Sequence, residues 1–158
     1  MLDIPSISAV VAAAGVLVGV VYYVMDMRNQ AKLRQTDLLM RLYSIWDSED
    51  FFKAAWMVTW ELEYKDYEDY VKKYGTSSTP HNIAVWRVCW FFNGIGVLVQ
   101  SHLADINLVD KLFGFYVKLS WEIVKPMVEG ARKQFNVPKS LEWFEYLYNE
   151  MKRREQRT

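Results

Sequence analysis

A single cysteine, Cys89, and two histidines, His81 and His102, are all the thiol and imidazole this chain of 158 residues has. One thiol closes no intrachain disulfide and, with so few imidazoles, supports no zinc cluster; it is compatible with a reducing compartment. The histidines stand 21 residues apart, without an HExxH pattern or a companion group of ligands, so no metal site is expected. Net charge is lacking too: 19 basic and 19 acidic side chains cancel. Without a global positive field to attract phosphates, a general nucleic-acid binder is excluded. The chain contains no GxSxG, no P-loop and no Cys–His pairing suited to nucleophilic catalysis. The "GIG" at 94–96 sits inside a helical pattern rather than after a strand, which removes the context of a dinucleotide loop and leaves close helix packing as its reading. Glu142 and Glu145, and Glu61 and Glu63, are spaced carboxylates without the E-x-x-H of a di-iron bundle. No cofactor and no catalytic residue is therefore assigned. Sustained strand alternation, internal repeats and low-complexity linkers are also missing.

What is present is apolar and aromatic material: 52% hydrophobic residues, with 7 Trp, 10 Tyr and 8 Phe. Such a chain is not disordered by composition. From Ile4 to Met25 run 22 residues without a charge. As a helix they rise about 33 Å, close to the roughly 30 Å of a bilayer's hydrocarbon. The preceding flank holds Asp3 and no basic residue, the run is long for a signal peptide, and "VVYYVMDM" has no small-x-small cleavage pattern. A retained anchor is the reading.

Tyr22 and Tyr23 suit the membrane interface at the end of that span, and Arg28, Lys32 and Arg34 follow. The basic flank on that side puts the N-terminus outside the cell membrane and the C-terminal part in the cytoplasm. Ser8, Ala12, Gly15 and Gly19 recur at spacings of four, three and four, a stripe of small residues along which a second helix can approach. The expected organisation is residues 1–25 as N-terminal segment and anchor, and 26–158 as one cytoplasmic domain.

Helical spacing recurs through almost every segment after residue 26, so the fold class is all-α: one transmembrane helix and a bundle of about five to six helices. The first helix should continue to about Trp46 with Leu38, Leu42 and Ile45 on one face. Asp47 or Ser48 should cap a second, running to about Tyr64 with Phe52, Ala55, Thr59 and Leu62 aligned. A short helix places Tyr64, Tyr67, Tyr70 and Tyr74 together and stops at Gly75. After "TSSTP", Thr79 and Pro80 open a helix through "IAVWRVCWFFNGIGVLVQSHL" that is apolar nearly all round and so central in its domain or in lipid, with Trp90 in its core and Cys89 an inert buried thiol. The next helix, capped by Asp105 or Asn107, carries Leu108, Leu112, Phe115, Leu119 and Ile123 and should kink or restart at Pro126. A last amphipathic helix bears Leu141, Phe144, Leu147 and Met151 before the basic tail "KRREQR".

Charge is unevenly laid out: eight acidic residues and two lysines lie between Asp47 and Tyr70, while 26–46 has four basic and two acidic ones. The basic part favours anionic headgroups. Arg87 and Glu122 each interrupt an apolar run, and a buried charge needs a partner. Both stand about 17 residues from the turn near Ala104 and Asp105, so an antiparallel hairpin sets them level as a candidate buried ion pair.

The order of features, a short span, a basic juxtamembrane helix, "LLMRLYSIWDSEDFFKAAWMV", "VCWFFNGIGVLVQSHLADINLVDKLFGFYVKLSWEIVKPMVEGARKQF" and "LEWFEYLYNEMKRR", resembles the DUF4760-type family of uncharacterised small membrane-anchored helical proteins. The resemblance covers most of residues 20–154 and implies an anchor with a helical cytoplasmic domain; it brings no activity and no site residue. The expected function is a membrane-anchored interaction or regulatory module, an accessory subunit of a larger membrane complex, whose partners are the lipid bilayer and a protein or a second copy through the transmembrane helix. The alternative is a membrane-tethered enzyme or small-ligand sensor with a pocket among the aromatic helices.

Overall fold

The computed structural model describes residues 4–76 and 78–156; residues 1–3, which include Asp3, and Ser77, Arg157 and Thr158 lie outside it. The described chain is all-α. Its helices are α1 (Ile4–Trp46), α2 (Glu49–Trp56), which continues as one π-helical turn over Met57–Glu61, α3 (Tyr67–Tyr74), α4 (Pro80–Gln100), α5 (Ile106–Gln134) and α6 (Glu142–Glu155). By internal contacts the chain divides into two units, Met1–Asp37 and Leu38–Thr158.

In the first unit the side chains from Val11 to Gln30 all face outward, among them Val16, Val20, Tyr22 and Tyr23. Uncharged residues up to Met25 hold a helix here through their own i→i−4 bonds, without any packed face within the unit.

The second unit is built on α4. Thr79 accepts the Asn82 N–H and Pro80 takes the first helical position, where a missing N–H costs nothing. Around α4 pack α2, the π turn, α5 and α6. Ala84, Val85, Val88, Cys89, Phe92 and Ile95 are buried there, so the nearly all-round apolar sequence is a central helix with one open side. Trp46, closing α1, gathers Phe51, Phe91, Phe92, Phe113 and Tyr116 around its indole at ring separations of 4.7–6.1 Å.

Glycine decides how close α6 can come. A Cβ on Gly96 would collide with the Trp143 backbone carbonyl, whereas Gly94, one residue before the buried Ile95, faces open space. The "GIG" motif thus makes close helix packing through its second glycine alone.

Three faces differ from the sequence-based expectation. In α2 the buried row is Phe51, Ala54, Ala55 and Val58, and Phe52 points outward. In α5 it is Val109, Phe113, Val117, Trp121, Val124 and Val128, with Phe115 outward. In α1, Leu39 is buried and Ile45 is exposed. In each case two helical rows of apolar residues lie side by side, and packing chose the neighbour of the expected row. Ser48 and Asp105 cap α2 and α5 through the N–H groups of Phe51 and Asn107. The second helix ends at Glu61 rather than Tyr64, and α5 passes through Pro126 without restarting. Beside that turn the Tyr64 hydroxyl donates to the Ile123 carbonyl at 2.5 Å; the carbonyl four residues before Pro126, to which the proline cannot donate, is that of Glu122.

Candidate functional site

Two surfaces of the second unit stand out. The first follows from the rotation of α2. With Phe51 turned into the core, Phe52, Trp56 and Trp60 fall four residues apart along the outward face and stack in sequence, at ring separations of 6.2 and 5.9 Å. All three are more than half exposed: 58%, 51% and 66%. Trp60 lies in the π-helical turn over Met57–Glu61, and turns of this type collect at functional sites. Phe52, Trp56 and Met57 form an apolar groove of about 470 Å³ with Lys53 and Glu61 at its edges. Lys53 is engaged by Glu49 at 2.5 Å, an exposed pair whose bond and attraction hold the Glu49 carboxyl below its ordinary range. Asp47, Asp50 and Glu63 add further carboxylates along the same stretch of sequence. An apolar ladder results, its groove edged by one lysine and one glutamate, in a stretch of sequence that carries further carboxylates.

The second surface is a cavity of about 190 Å³ between α3, the start of α4 and the end of α5, lined by Tyr67, Tyr70, Asn82, Trp86, Met127 and Phe135 among others. The tyrosines of α3 lie together as expected, Tyr70 buried and Tyr67 and Tyr74 half-buried. Asp66 caps α3 by accepting the Asp69 N–H, and Gly75, at φ +72°, closes it in a conformation only glycine takes freely. Two of them find polar partners: Tyr70 donates to Asn82 Oδ1 at 2.9 Å, and the Tyr74 oxygen accepts the Glu63 N–H at 2.9 Å. Burial pushes the Tyr64 and Tyr70 hydroxyls far above the usual phenol range, so both stay neutral donors. Gly130 is what lets α5 approach: a Cβ there would run into the Tyr67 ring.

Arg87 and Glu122 are not brought together. Arg87 is exposed on the side of α4 toward α2 and donates to the Asp50 carbonyl at 3.4 Å. Glu122 is exposed on α5 beside α6, 3.1 Å from Lys152 Nζ and accepting the Tyr148 hydroxyl at 3.2 Å. The hairpin expectation failed on rotation: α6 packs against both α4 and α5 and takes Glu122 as its own partner. Trp90, expected in the core, is 56% exposed and stacks loosely on Trp86. With Ile83, Gly94 and Val97 it forms the open side of α4.

The stripe of small residues lies as one row: Ser8, Ala12, Gly15 and Gly19 are on one helical face, all outward, with free space at both glycines. Arg28, Lys32 and Arg34 follow on the same helix, exposed. By length and composition alone, Val11–Trp46 and Pro80–Gln100 could each cross a bilayer; half of the latter's apolar window is buried inside the protein and none of the former's. Cys89 is fully buried. His81 stands 3.8 Å from Glu61 and against the Tyr74 ring. Among the described residues no group of three or more His, Cys, Asp or Glu could hold a metal ion.

The sequence reading placed Phe52 in the core and so missed the ladder, although aromatics at 52, 56 and 60 already carry its four-residue spacing. The cavity was foreshadowed by the tyrosine row, but not by Asn82 or Phe135, which come from distant segments.

A family model described as a domain of unknown function, DUF4760, matches residues 9–151. No curated protein and no solved structure matches the chain.

Proposed function

Because the chain belongs to the DUF4760 family, whose description names no activity, we propose its function from geometry: a single-pass membrane protein whose helical domain docks a partner protein. The observation that carries this reading is the ladder of Phe52, Trp56 and Trp60, three large rings in file outside the core, in a stretch of sequence rich in carboxylates. Large aromatics at a surface supply much contact area for little ordering entropy and anchor interfaces. The excess of carboxylates between Asp47 and Tyr70 favours, as the partner, a helix with an apolar face and basic flanks.

The anchor is the outward-facing apolar helix up to Met25, with Tyr22 and Tyr23 at the interface and Arg28, Lys32 and Arg34 on the cytoplasmic side. A reporter fused after Thr158 is then active only inside the cell; activity only outside overturns this topology. The lipid bilayer is one partner. A second copy is another, met through Ser8, Ala12, Gly15 and Gly19. Changing Gly15 and Gly19 to Ile lowers association in a membrane reporter assay, and unchanged association removes self-pairing from the proposal.

Docking is tested on the full chain in neutral-lipid nanodiscs, titrated with a Lys/Leu amphipathic peptide and a Glu/Leu counterpart, empty nanodiscs serving as the blank. The Lys/Leu peptide binds, and Trp56→Ser with Trp60→Ser weakens it at least about tenfold with the fold intact. Equal binding of both peptides, or indifference to the double substitution, overturns the docking face.

A further inference from the structure

The cavity between α3, α4 and α5 goes beyond a docking role, because a ring-lined hollow can take up a small molecule rather than meet a partner's surface. At about 190 Å³ it is larger than the roughly 150 Å³ engineered cavities that accept one benzene ring. Its walls are the rings of Tyr67, Tyr70, Trp86 and Phe135, with the thioether of Met127 among them, and no charged side chain is part of the lining. Tyr70 and Met127 are buried, Tyr67 and Trp86 half-buried, and Phe135 exposed, so the hollow runs from a closed floor to an open mouth at Phe135. At the floor, Asn82 Oδ1 accepts the Tyr70 hydroxyl, which fixes both groups and leaves the site neutral.

Aromatic rings carry negative π-faces and positive edges, so a hollow walled by four of them and by no charged side chain favours a bulky, weakly hydrated cation over a neutral molecule of equal shape wherever a face meets the guest. An adjoining groove shares Tyr67 and carries Asp66, Glu68 and Glu129 against one Lys133. On the Tyr67 side a cation therefore meets three carboxylates against one lysine, while Arg132 and Lys133 precede Phe135 in the sequence.

We propose that this cavity binds a small organic cation of the quaternary ammonium class, held by Tyr67, Tyr70, Trp86 and Phe135. The trimethylammonium head fits the hollow, and its substituent leaves past Phe135. Such a head belongs both to free solutes and to choline lipids.

The test uses the full chain in nanodiscs of phosphatidylglycerol, titrated with choline and with 3,3-dimethyl-1-butanol, the same shape without the charge. Binding is followed at the Trp86 indole N–H resonance, assigned by its loss in Trp86→Phe. Choline shifts it saturably and at least about fivefold more tightly than the alcohol. Phe135→Ala, at the exposed mouth, weakens choline without unfolding the protein, and Ala131→Leu fills the hollow and abolishes the response. Replacing part of the lipid with phosphatidylcholine separates the sources. A lowered apparent affinity for free choline identifies the headgroup as a ligand; an unchanged one identifies the free solute. Equal affinity for choline and the alcohol, no saturation, or full choline binding in Phe135→Ala overturns the proposal.

Discussion

Asn93 in α4 accepts the backbone N–H of Phe144 in α6, 51 residues away, at 3.2 Å, with both partners buried. The first N–H groups of a helix have no partner of their own, and the residue before α6 is Leu141, in the left-handed region at φ +57°, whose side chain can accept nothing. A side chain from another helix does the capping. Asn93→Ala strands a buried donor and should cost about 1–3 kcal/mol in denaturant melts, with faster amide exchange at Phe144. Unchanged exchange there would mean that the cap is dispensable.

The two glycines of "GIG" should respond in opposite directions. Gly96→Ala forces the new methyl against the Trp143 carbonyl and has to push α6 away, a cost of about 1–3 kcal/mol. Gly94→Ala meets nothing and should stabilise α4 by about 0.5–1 kcal/mol through its lower unfolded-state entropy. Thermal melts of the two single variants decide it, and equal effects would dismiss Gly96 as the contact point.

Trp90 and Trp121 should separate as surface and core. Trp121 is buried against Phe144, and its replacement by Ala should cost about 3–5 kcal/mol. Trp90→Ala should stay within about 1 kcal/mol of the parent, as substitutions on open surface do. A large loss at Trp90 in melts would mean that the open side of α4 is covered.

These contrasts mark where the sequence was legible. Helix ends were written locally: Ser48, Thr79, Asp105 and Gly75 act within one turn of themselves, and each sits where its chemistry requires. The last helix has a single apolar row, Leu141, Phe144, Leu147 and Met151, and all four are buried as expected. In α2 and α5 two rows compete, and only the partner helices choose between Phe51 and Phe52 or between Phe113 and Phe115. The ladder was missed for that reason. The cavity depends on Tyr70, Asn82 and Phe135 converging from three segments, a tertiary fact with no local sign. The Arg87 and Glu122 pairing failed on the same count, because level in a hairpin says nothing of rotation.

Arg87 and Glu122 should accordingly behave as strangers. In melts of Arg87→Met, Glu122→Leu and the double variant, the effects should add within about 0.5 kcal/mol. Coupling should appear instead between Glu122 and Lys152, which lie 3.1 Å apart. A strong Arg87–Glu122 coupling would contradict the observed separation.

Acid should loosen α3 through Asp69. Its carboxylate accepts the Lys65 N–H at 3.0 Å and lies 3.1 Å from Lys73 Nζ, while its own N–H is taken by the Asp66 cap. The Lys65 bond first, and Lys73 second, hold its carboxyl below the ordinary aspartate range. A group with a depressed native value binds its proton more readily when unfolded, so its contribution is complete above the ordinary value of about 3.9 and fades as pH falls through the native one. Amide protection factors in α3 should thus be flat from neutral pH down to about 4 and drop below it. Asp69→Asn should remove this acid step, because an amide keeps an acceptor for the Lys65 N–H but has no charge to lose and no attraction for Lys73. Protection in Asp69→Asn that follows the parent through the acid range would remove Asp69 as the source of the loosening.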